Sequence, residues 1–262
     1  MIRTILKGLI GKRLVDLFRA IRKLFNKVIW HGSNARCDIC SSNIRKWCFY
    51  GSLDKKNRVC PVCYSFGRQR FIWYCIEKNI IQLKSSHKIL HIAPEISLSK
   101  KIKSIVLDDY YITGDLNEKD VDLKLDITHI EQNDEIYDLI ICLHVLEHVP
   151  NDKKALSELC RVLKPGGFLV LQVPLSNNVT TYEDSSVTTS ESRKRLYGQS
   201  DHLRLYGNDL GLKIESHGFH VTLLEPTKVA SQEEFDYFAL DLPQSSNILY
   251  DSESKIFYCK KL

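Results

Sequence analysis

Residues 85–262 alternate between short apolar segments and helical ones, and this alternation restricts the possible fold more than any other feature of the sequence. Strands are predicted at residues 88–92, 110–113, 138–143, 168–173, 219–224 and 255–260. Helices are predicted near residues 97–104, 151–163 and 206–217, and the proline and glycines of KPGG stop the second of them. Strands that alternate with helices are typical of a parallel sheet covered on both faces. The sequence therefore predicts an α/β fold with a doubly wound, mostly parallel sheet.

Four cysteines near the N-terminus have the spacing of a metal site. They form C-x2-C-x19-C-x2-C, in CDIC and CPVC, at Cys37, Cys40, Cys60 and Cys63. The first residues show no secretory signal, so a cytoplasmic location with reduced thiols is expected, and this favours metal over disulfides. Four thiolates suit tetrahedral zinc and leave no open position for catalysis. The pattern predicts a structural zinc ion, and the alternative is four reduced, buried cysteines.

The first third of the chain is strongly basic. Residues 1–80 carry 17 Lys and Arg against 4 Asp and Glu, a net charge of +13 that leaves −8 for the rest of the chain. Residues 10–29 have the pattern of an amphipathic helix, with an apolar stripe on one side and Lys and Arg on the other. Such a helix lies on an anionic membrane surface, here through residues 1–30, or packs on the domain or on a sister subunit. Three regions are predicted: a basic helix at 1–33, a zinc-ribbon-like module with a linking helix at 34–84, and an α/β domain at 85–262.

The segment YDLIICLHVLEHVPNDKKALSELCRVLKPGGFLVLQVP, residues 137–174, carries a family resemblance. It resembles the fourth strand, the following helix and the fifth strand of class I S-adenosylmethionine-dependent methyltransferases with an LEH signature and a KPGG turn. The resemblance covers about residues 86–262 and implies a seven-stranded, Rossmann-like sheet with S-adenosylmethionine as cofactor. The four cysteines followed by SFGRQR, together with HIAPE, TYEDSS and GQSDHLRLYG, resemble one bacterial branch of that group.

The resemblance makes KILHIAPE a cofactor loop with altered residues. His91 stands where an acidic residue commonly ends the first strand. Ala93, Glu95 and Ser97 stand where glycines are usual. Glycine there lets the backbone approach the methionine part of the cofactor; Ala93 is a mild replacement, and Pro94 stiffens the turn. The resemblance implies that Glu95 pairs with the methionine ammonium in place of the usual carboxylate.

Further cofactor positions follow the other strands. Asp115, with Leu116 beside it, follows the second strand, where a carboxylate accepting both ribose hydroxyls is expected. Asp126 and the backbone amide of Ile127 stand where the family contacts the adenine edge. His144 ends the fourth strand, beside the position of the sulfonium. Either Asp taken alone is more often a turn or cap residue, but their common placement at strand ends favours cofactor binding.

A long polar segment, residues 174–206, is named the lid here. It is predicted to have almost no apolar face to bury and to become ordered by closing over a substrate. Its polar side chains, Tyr197 and Arg204 among them, are predicted to offer hydrogen bonds of the kind a sugar needs. The alternative is that they solvate a surface loop.

A histidine and glutamate cluster is predicted to carry the chemistry. In HVLEH, a helical turn would bring His144, Glu147 and His148 to one face, and the lid adds His202. Some related methyltransferases of small RNA ends and of quinone precursors carry E-x2-E-H plus a later histidine and bind a divalent metal, which makes a second metal possible at Glu147, His148 and His202. The alternative is that Glu147 and His148 cap and orient a helix. In either case His148 or His202 is a candidate general base toward a hydroxyl.

The sequence predicts O-methylation of a saccharide or another small hydroxyl acceptor in cell-surface polysaccharide biosynthesis. The protein is expected to be cytoplasmic and peripheral to the inner membrane face. One alternative is an RNA methyltransferase with a zinc RNA-binding module, since the basic N-terminal third suits RNA. Nucleic acid is less favoured because the aromatic residues of the zinc region form no recognisable RNA-reading motif. A second alternative is a non-catalytic zinc-bearing scaffold with a degenerate cofactor loop.

Overall fold

The computed structural model describes residues 17–50, 57–240 and 254–262. The start of the predicted basic helix, residues 10–16, lies outside the described residues. The remainder forms α1, a helix over residues 17–29. No helix in these described ranges is long and apolar enough to cross a membrane.

Two small antiparallel sheets follow α1 and carry the four cysteines. β1 (His31–Cys37) pairs with β2 (Ser42–Ile44), and β3 (Cys48–Tyr50) pairs with β4 (Asn57–Val59). Cys37 ends β1 and Cys60 follows β4, so each cysteine pair begins at the end of a strand. Ser41 and Tyr64, which follow the second cysteine of each pair, have positive φ angles of 55° and 62°. These left-handed residues tighten the two turns that hold the cysteines.

A seven-stranded sheet forms the rest of the fold. Its strands are β5 (Ile89–Ile92), β6 (Tyr111–Asp115), β7 (Leu123–Lys124), β8 (Tyr137–Leu143), β9 (Leu163–Gln172), β10 (Phe219–Leu224) and β11 (Ile256–Lys261). The order across the sheet is β10-β11-β9-β8-β5-β6-β7. β11 runs antiparallel to both of its neighbours, and all other pairs are parallel. The predicted seven-stranded, mostly parallel sheet is therefore confirmed.

The strand order reverses at the centre of the sheet. From β5 the chain proceeds outward through β6 to β7, and then returns to β8 on the other side of β5. In open parallel sheets, ligands bind outside the carboxyl ends of the strands at such a reversal. β5 and β8 are almost continuously apolar because helices cover both faces of the sheet. The fold therefore predicts a ligand site at the loops that follow β5 and β8.

Seven further helices connect or cover the strands. They are α2 (Gly67–Glu77), α3 (Ile96–Lys103), α4 (Asp152–Val162), α5 (Ser190–Tyr197), α6 (Leu210–Glu215), α7 (Pro226–Val229) and α8 (Gln232–Phe238), with 3₁₀ turns at Asp108–Tyr110 and Leu146–His148. α4 shows why the sequence forms a helix here. The Asn151 side chain accepts a hydrogen bond from the Lys154 amide at its start, and Leu156 and Leu159 lie on its buried face. The three predicted helices correspond to α3, α4 and α6.

The KPGG motif differs from its predicted role as a turn between helix and strand. α4 ends at Val162, and Leu163 already pairs with Tyr137 as the first residue of β9. The pairing is then interrupted and resumes between Leu139 and Phe168, so KPGG is an irregularity inside the strand. A Cβ atom at Gly167 would lie 2.9 Å from the Lys164 carbonyl oxygen. Glycine is needed at position 167 because the backbone of residue 164 lies too close for a side chain. KPGG therefore acts as a β-bulge within β9.

Two apolar clusters fill the two faces of the sheet. One joins α4 and α6 to the sheet, through residues such as Leu159, Ile214 and Leu171. The other runs from the cysteine-bearing sheets through α2 to the opposite face, where Ile44 and Trp73 belong to the same cluster. The cysteine-bearing sheets and the large sheet therefore share one continuous core.

Arg70 on α2 ties this core together. Its side chain is 1% exposed, and its guanidinium lies 4.1 Å from the Trp47 ring centroid. It donates hydrogen bonds to four backbone carbonyls, those of Arg58, Ser65, Phe238 and Ala239. Such a buried, fully bonded guanidinium joins the cysteine-bearing sheets to the end of α8 and the residue that follows it, because its donors reach carbonyls in both parts.

Candidate functional site

A cleft of about 850 Å³ lies at the carboxyl ends of β5 and β6. Its lining includes three groups: residues 19, 20 and 23 from α1, the loop after β5 with Ala93, Pro94 and Ile96, and the acidic segment after β6 with Asp115, Glu118 and Asp120. Three residues predicted to bind the cofactor (Ala93, Pro94 and Asp115) thus share one cleft. The volume lies within the usual range for a small-molecule site.

The loop after β5 keeps a glycine-like conformation without glycine. Ala93 has a φ of +47°, in the left-handed region that costs a non-glycine residue roughly 1–2 kcal/mol. Its amide donates to the Gly114 carbonyl of β6 at 2.8 Å, which fixes the turn. The altered residues therefore preserve the backbone path of a cofactor loop at this point.

Glu95, predicted to meet the cofactor ammonium, lies in an ion pair with Arg68. Arg68 Nη2 donates to Glu95 Oε1 at 2.9 Å. The second carboxylate oxygen, Glu95 Oε2, and the guanidinium nitrogen Arg68 Nε are both buried and have no hydrogen-bond partner among the described residues. A half-buried pair with one unused acceptor and one unused donor fits a ligand that carries both a cation and an anion.

Arg68 was missed in the sequence analysis, where SFGRQR served only to mark a family branch. The signal was its place at the start of the helix that leads into β5. The neighbouring Gln69 supports the same loop: its Oε1 accepts from the Phe66 amide and from the Ser97 hydroxyl, both at 2.9 Å. Arg68 also lies close enough to Glu147 for its charge to help lower that carboxyl's pKa, against the larger effect of burial.

The two aspartates expected at the ribose and the adenine both close turns. Asp115 Oδ1 accepts from the amides of Asn117 and Glu118 at 2.7 Å and 2.9 Å. Asp126 Oδ1 accepts from the amide and the hydroxyl of Thr128, both at 2.8 Å. The bonds fix both carboxylates after their strands, and Asp115 Oδ2 takes no hydrogen bond from the described residues.

The other six predicted cofactor residues lie outside the cleft lining: His91, Glu95, Leu116, Asp126, Ile127 and His144. His91 is fully buried and shares a 2.6 Å hydrogen bond between Nδ1 and the Tyr111 hydroxyl. Burial lowers the pKa of His91 to about 3, so the ring is neutral. Ile127 is buried in the core, and Leu116 is exposed. His91 has the surroundings of a core histidine.

The structure brings Glu147, His148 and His202 together. One ligand atom from each side chain can be chosen so that all three lie within 4.8 Å of one another. The Glu147 carboxylate is buried, and neither of its oxygens has a hydrogen-bond partner among the described residues. Burial raises the pKa of Glu147. His144, the fourth member of the predicted cluster, lies with Nδ1 3.4 Å from Glu147 Oε1. A buried carboxylate without donors is costly, and a bound cation would offset that cost.

The two histidines are oriented by their surroundings. His202 Nδ1 lies 3.0 Å from the Tyr197 carbonyl oxygen, so this nitrogen carries the proton and Nε2 is an acceptor. Burial lowers the pKa of His202, although the nearby Glu147 acts in the opposite direction. His148 Nδ1 lies 3.3 Å from Asp201 Oδ2, and the two imidazole centroids are 4.7 Å apart. Each histidine thus has one nitrogen held by an oxygen atom, which is the usual arrangement behind a metal-binding or proton-accepting imidazole.

The lid does have an apolar face, contrary to prediction. Leu175, Tyr197, Leu205 and Tyr206 are all buried. α5 forms within the lid, and isolated β-bridges join Leu175 to Tyr206 and Tyr182 to Leu205. The sequence pattern hid this face because the buried residues are separated by polar stretches and belong to no single helix or strand. The lid is therefore held in place by its own packing.

Arg204 was predicted to offer hydrogen bonds to a sugar, but its side chain is not available for this. It is 1% exposed and pairs with Glu183 through two hydrogen bonds of 2.8 Å and 2.9 Å. Its other donors go to backbone carbonyls at the 3₁₀ turn, those of Leu146, Val149 and Pro150. The Leu203 amide donates to the Glu147 carbonyl at 2.9 Å. Arg204 and its neighbours therefore fasten the lid to the turn that carries Glu147, and so hold His202 beside it.

The four cysteines form a second cluster, within the described residues, that is suited to a metal. Their sulfurs all lie within 4.8 Å of one another, with 3.6 Å between Cys37 and Cys63 and 3.7 Å between Cys40 and Cys60. Tetrahedral zinc with Zn–S bonds of about 2.3 Å requires sulfurs roughly 3.8 Å apart. A disulfide would need about 2.05 Å. The donor set and the spacing fit zinc.

Comparisons with known proteins agree with this fold. Residues 103–171 match the family model described as a methyltransferase domain. The chain is 31% identical over 75 residues to the ubiquinone biosynthesis O-methyltransferase of Shewanella sp. (strain ANA-3), covering 28% of this chain and 31% of that protein. It is 30% identical over 90 residues to the protein of the same name from Vibrio cholerae, covering 34% and 36%. The matched stretches span about a third of these curated relatives.

A solved structure extends the similarity across the sheet. The crystal structure of an S-adenosylmethionine dependent methyltransferase from Mesorhizobium loti is similar with a TM-score of 0.50 and 11% sequence identity, covering 73% of this chain and 98% of that chain. At this identity the likeness concerns the fold. Together with the family match over residues 103–171 and the strand order of the sheet, it supports a class I S-adenosylmethionine-dependent methyltransferase domain in this chain.

Proposed function

We propose that the protein transfers a methyl group from S-adenosylmethionine to a hydroxyl oxygen of its acceptor. The observation that carries the proposal is the cluster of Glu147, His148 and His202 at the carboxyl end of β8. The bound cofactor supplies an electrophilic methyl group on a sulfonium. The protein's own tasks are then to align the acceptor and to remove the hydroxyl proton.

The cofactor is held, in this proposal, by Asp115 of the cleft and by residues of the neighbouring loops and helix that lie outside the cleft lining. The ion pair of Arg68 and Glu95 binds the amino-acid end, with Arg68 Nε facing the carboxylate and Glu95 Oε2 facing the ammonium. Asp115 accepts from the ribose hydroxyls through Oδ2, while Asp126 and the Ile127 amide contact the adenine. The unused buried donor and acceptor of the ion pair support this assignment. So does the presence of Asp115 in the cleft lining.

His202 is the proposed general base. Its Nδ1–H donates a hydrogen bond to the Tyr197 carbonyl, so Nε2 is unprotonated and can accept the proton of an acceptor hydroxyl. Burial lowers the pKa of His202, which favours the neutral imidazole that a general base requires. Glu147, adjacent in space, stabilises the imidazolium that forms. His148 orients the cluster through its contact with Asp201.

In an alternative arrangement, in which His202 Nε2 is a metal ligand and not the base, the same three side chains would hold a divalent cation. Two imidazoles and one buried carboxylate without donors form a suitable ligand set, and each histidine already has an oxygen behind its other nitrogen. The cation would supply positive charge that favours the deprotonated acceptor oxygen. We propose zinc, separately, for the four cysteines, where it is structural.

The acceptor is proposed as a small molecule with a free hydroxyl. The curated relatives are named for O-methylation in ubiquinone biosynthesis, which supports an oxygen acceptor. Their name does not favour the saccharide expected from the polarity of the lid, and Arg204, the strongest donor in that segment, is engaged with Glu183 and backbone carbonyls. A hydroxylated ring compound is therefore the first acceptor to test.

Methyl transfer with labelled S-adenosylmethionine tests the proposal. A panel of hydroxylated ring compounds, saccharides and RNA is incubated with the wild-type chain, with His202→Ala and with the exposed-site control His220→Ala. We expect label in a hydroxylated ring compound and a loss of about 10²-fold or more in His202→Ala alone, the usual contribution of a general base. Label in RNA would contradict the small-molecule acceptor. No label in any acceptor, together with no cofactor binding, would indicate the non-catalytic scaffold.

A further inference from the structure

The outer face of α1 is apolar and exposed. Seven large apolar side chains of this helix, each between 41% and 73% exposed, form one stripe: Leu17, Phe18, Ile21, Leu24, Phe25, Val28 and Ile29. At 100° per residue they fall within an arc of about 140°. A contiguous apolar surface of this kind on a soluble chain marks an interaction site. The expectation that this stripe packs on the domain is not met in the described part of the chain.

The polar face of α1 holds the helix against the body of the protein. Asn26 Nδ2 donates to the Pro61 carbonyl at 2.8 Å and lies 3.0 Å from the Tyr64 hydroxyl. The Arg22 guanidinium stacks 4.7 Å from the Tyr64 ring centroid. On the same side, Arg19 and Lys23 line the cleft that contains Asp115. α1 is therefore a wall of the cofactor cleft on one face and an apolar surface on the other.

We propose that the apolar face of α1 docks on an anionic membrane surface. Charge favours lipid over other occupants. Residues 17–29 contain four Lys and Arg and no Asp or Glu, and residues 1–36 have a net charge of +8. Basic residues near an anionic bilayer each add roughly 1 kcal/mol of attraction. Pairing with a second copy would instead bring two such basic segments together.

The position of Lys27 supports the same orientation. On the helical wheel Lys27 lies beside the apolar stripe, where a long side chain reaches phosphate groups while the stripe is buried to roughly 5–10 Å. Because the opposite face of α1 lines the cleft, docking places α1 between the bilayer and the cleft and holds the cleft within about one helix diameter, roughly 10 Å, of the surface.

Vesicle co-sedimentation of the full chain tests the proposal. Vesicles contain either phosphatidylcholine alone or equal amounts of phosphatidylcholine and phosphatidylglycerol. The double variant Phe18→Ser/Phe25→Ser is compared with Val179→Ser/Leu212→Ser, which removes two equally exposed apolar side chains elsewhere. We expect wild type and the control to sediment with anionic vesicles. The α1 variant should bind at least about tenfold more weakly, because it lacks two aromatic side chains that would be buried in the bilayer.

The docking proposal would be overturned if the wild-type chain stayed in the supernatant with anionic vesicles. It would also be overturned if the α1 variant bound these vesicles as well as wild type does. A light-scattering mass of two chains without lipid, reduced to one by Phe18→Ser/Phe25→Ser, would show that a second copy covers the stripe. Salt-sensitive RNA binding that is lost in the α1 variant, without vesicle binding, would assign the stripe to RNA. Binding of S-adenosylhomocysteine, measured on the same samples, reports separately on the proposed function.

Discussion

At Ala93 the backbone adopts the conformation that glycine would favour, in a loop that contains no glycine. The sequence placed this loop correctly after β5, since an apolar strand followed by a helix is a local pattern. It did not reveal Arg68, because the contact with Glu95 joins residues 27 positions apart in different elements. The roles of individual side chains at this loop therefore depend on tertiary contacts, which residue spacing in the sequence does not predict.

Replacing Arg68 tests the amino-acid end of the cofactor site. Arg68→Met should weaken S-adenosylhomocysteine binding by about 1.5–3 kcal/mol, or roughly 10- to 100-fold, because hydrogen bonds to charged groups are worth this amount. The control is Arg58→Met, an arginine of the same region that faces Asp236 and Phe235. Equal affinities in calorimetry for wild type and Arg68→Met would remove Arg68 from the site.

His91 should make stability depend on pH. Burial lowers its folded-state pKa to about 3 from the ordinary histidine value of 6.5, so only the unfolded chain takes up a proton between these values. Stability is therefore present above about pH 6.5 and is lost as the pH falls. Between pH 6.5 and 5 the loss is about 2 kcal/mol.

Denaturant unfolding at both pH values provides the measurement. The change between pH 6.5 and 5 should be smaller by that amount in His91→Gln, and unaltered in the exposed-site control His220→Gln. A variant with the same pH dependence as wild type would show that His91 is not neutral in the folded protein.

Among the elements, the regular ones were predictable and the irregular ones were not. β5, β8 and β9 have strong apolar patterns, and α4 has an amphipathic one. β7 has only two residues, too few for a period to appear. The lid was misjudged because its buried residues come from bridges and a short helix. Its order is set by tertiary contacts, above all those of Arg204.

Arg204 should be the residue on which the lid most depends. Arg204→Met removes the guanidinium donors from three carbonyls and from Glu183, and is expected to lower the free energy of unfolding by about 3 kcal/mol or more. Arg193→Met, on α5 of the same segment, has one weak hydrogen bond of 3.3 Å and should cost less than about 1 kcal/mol. Similar losses in urea unfolding for the two variants would contradict this role.

The four cysteines should hold one zinc ion per chain. Cys60→Ser is expected to lose the metal and to lower the melting temperature, because binding energy at such a site is folding energy. It should also weaken S-adenosylhomocysteine binding, since Arg68 and Gln69 follow directly on CPVC. Cys48→Ser, outside the cluster, should retain the metal. Elemental analysis of wild type showing no zinc, with the protein folded, would rule out the zinc assignment.

At the scale of the whole molecule, the cysteine-bearing sheets and the methyltransferase sheet act as one folded unit. They share an apolar cluster, Arg70 joins them through four carbonyls, and α1 lines the cleft from outside. The sequence predicted the parts in their order along the chain, since metal spacing and strand-helix alternation are local signals. How the parts contact each other, and which residues the N-terminal region brings to the cleft, depends on tertiary packing.

Calorimetric titration with S-adenosylhomocysteine tests most directly whether the cleft binds the cofactor. We expect binding by the wild-type chain, weakened by about 1.5–3 kcal/mol in Asp115→Ala, which loses the acceptor for the ribose hydroxyls. The control Asp109→Ala, in the exposed 3₁₀ turn before β6, should bind as wild type does. No heat of binding by the folded wild-type chain at ligand concentrations up to about 1 mM, the range of very weak complexes, would contradict the assignment of this cleft to the cofactor.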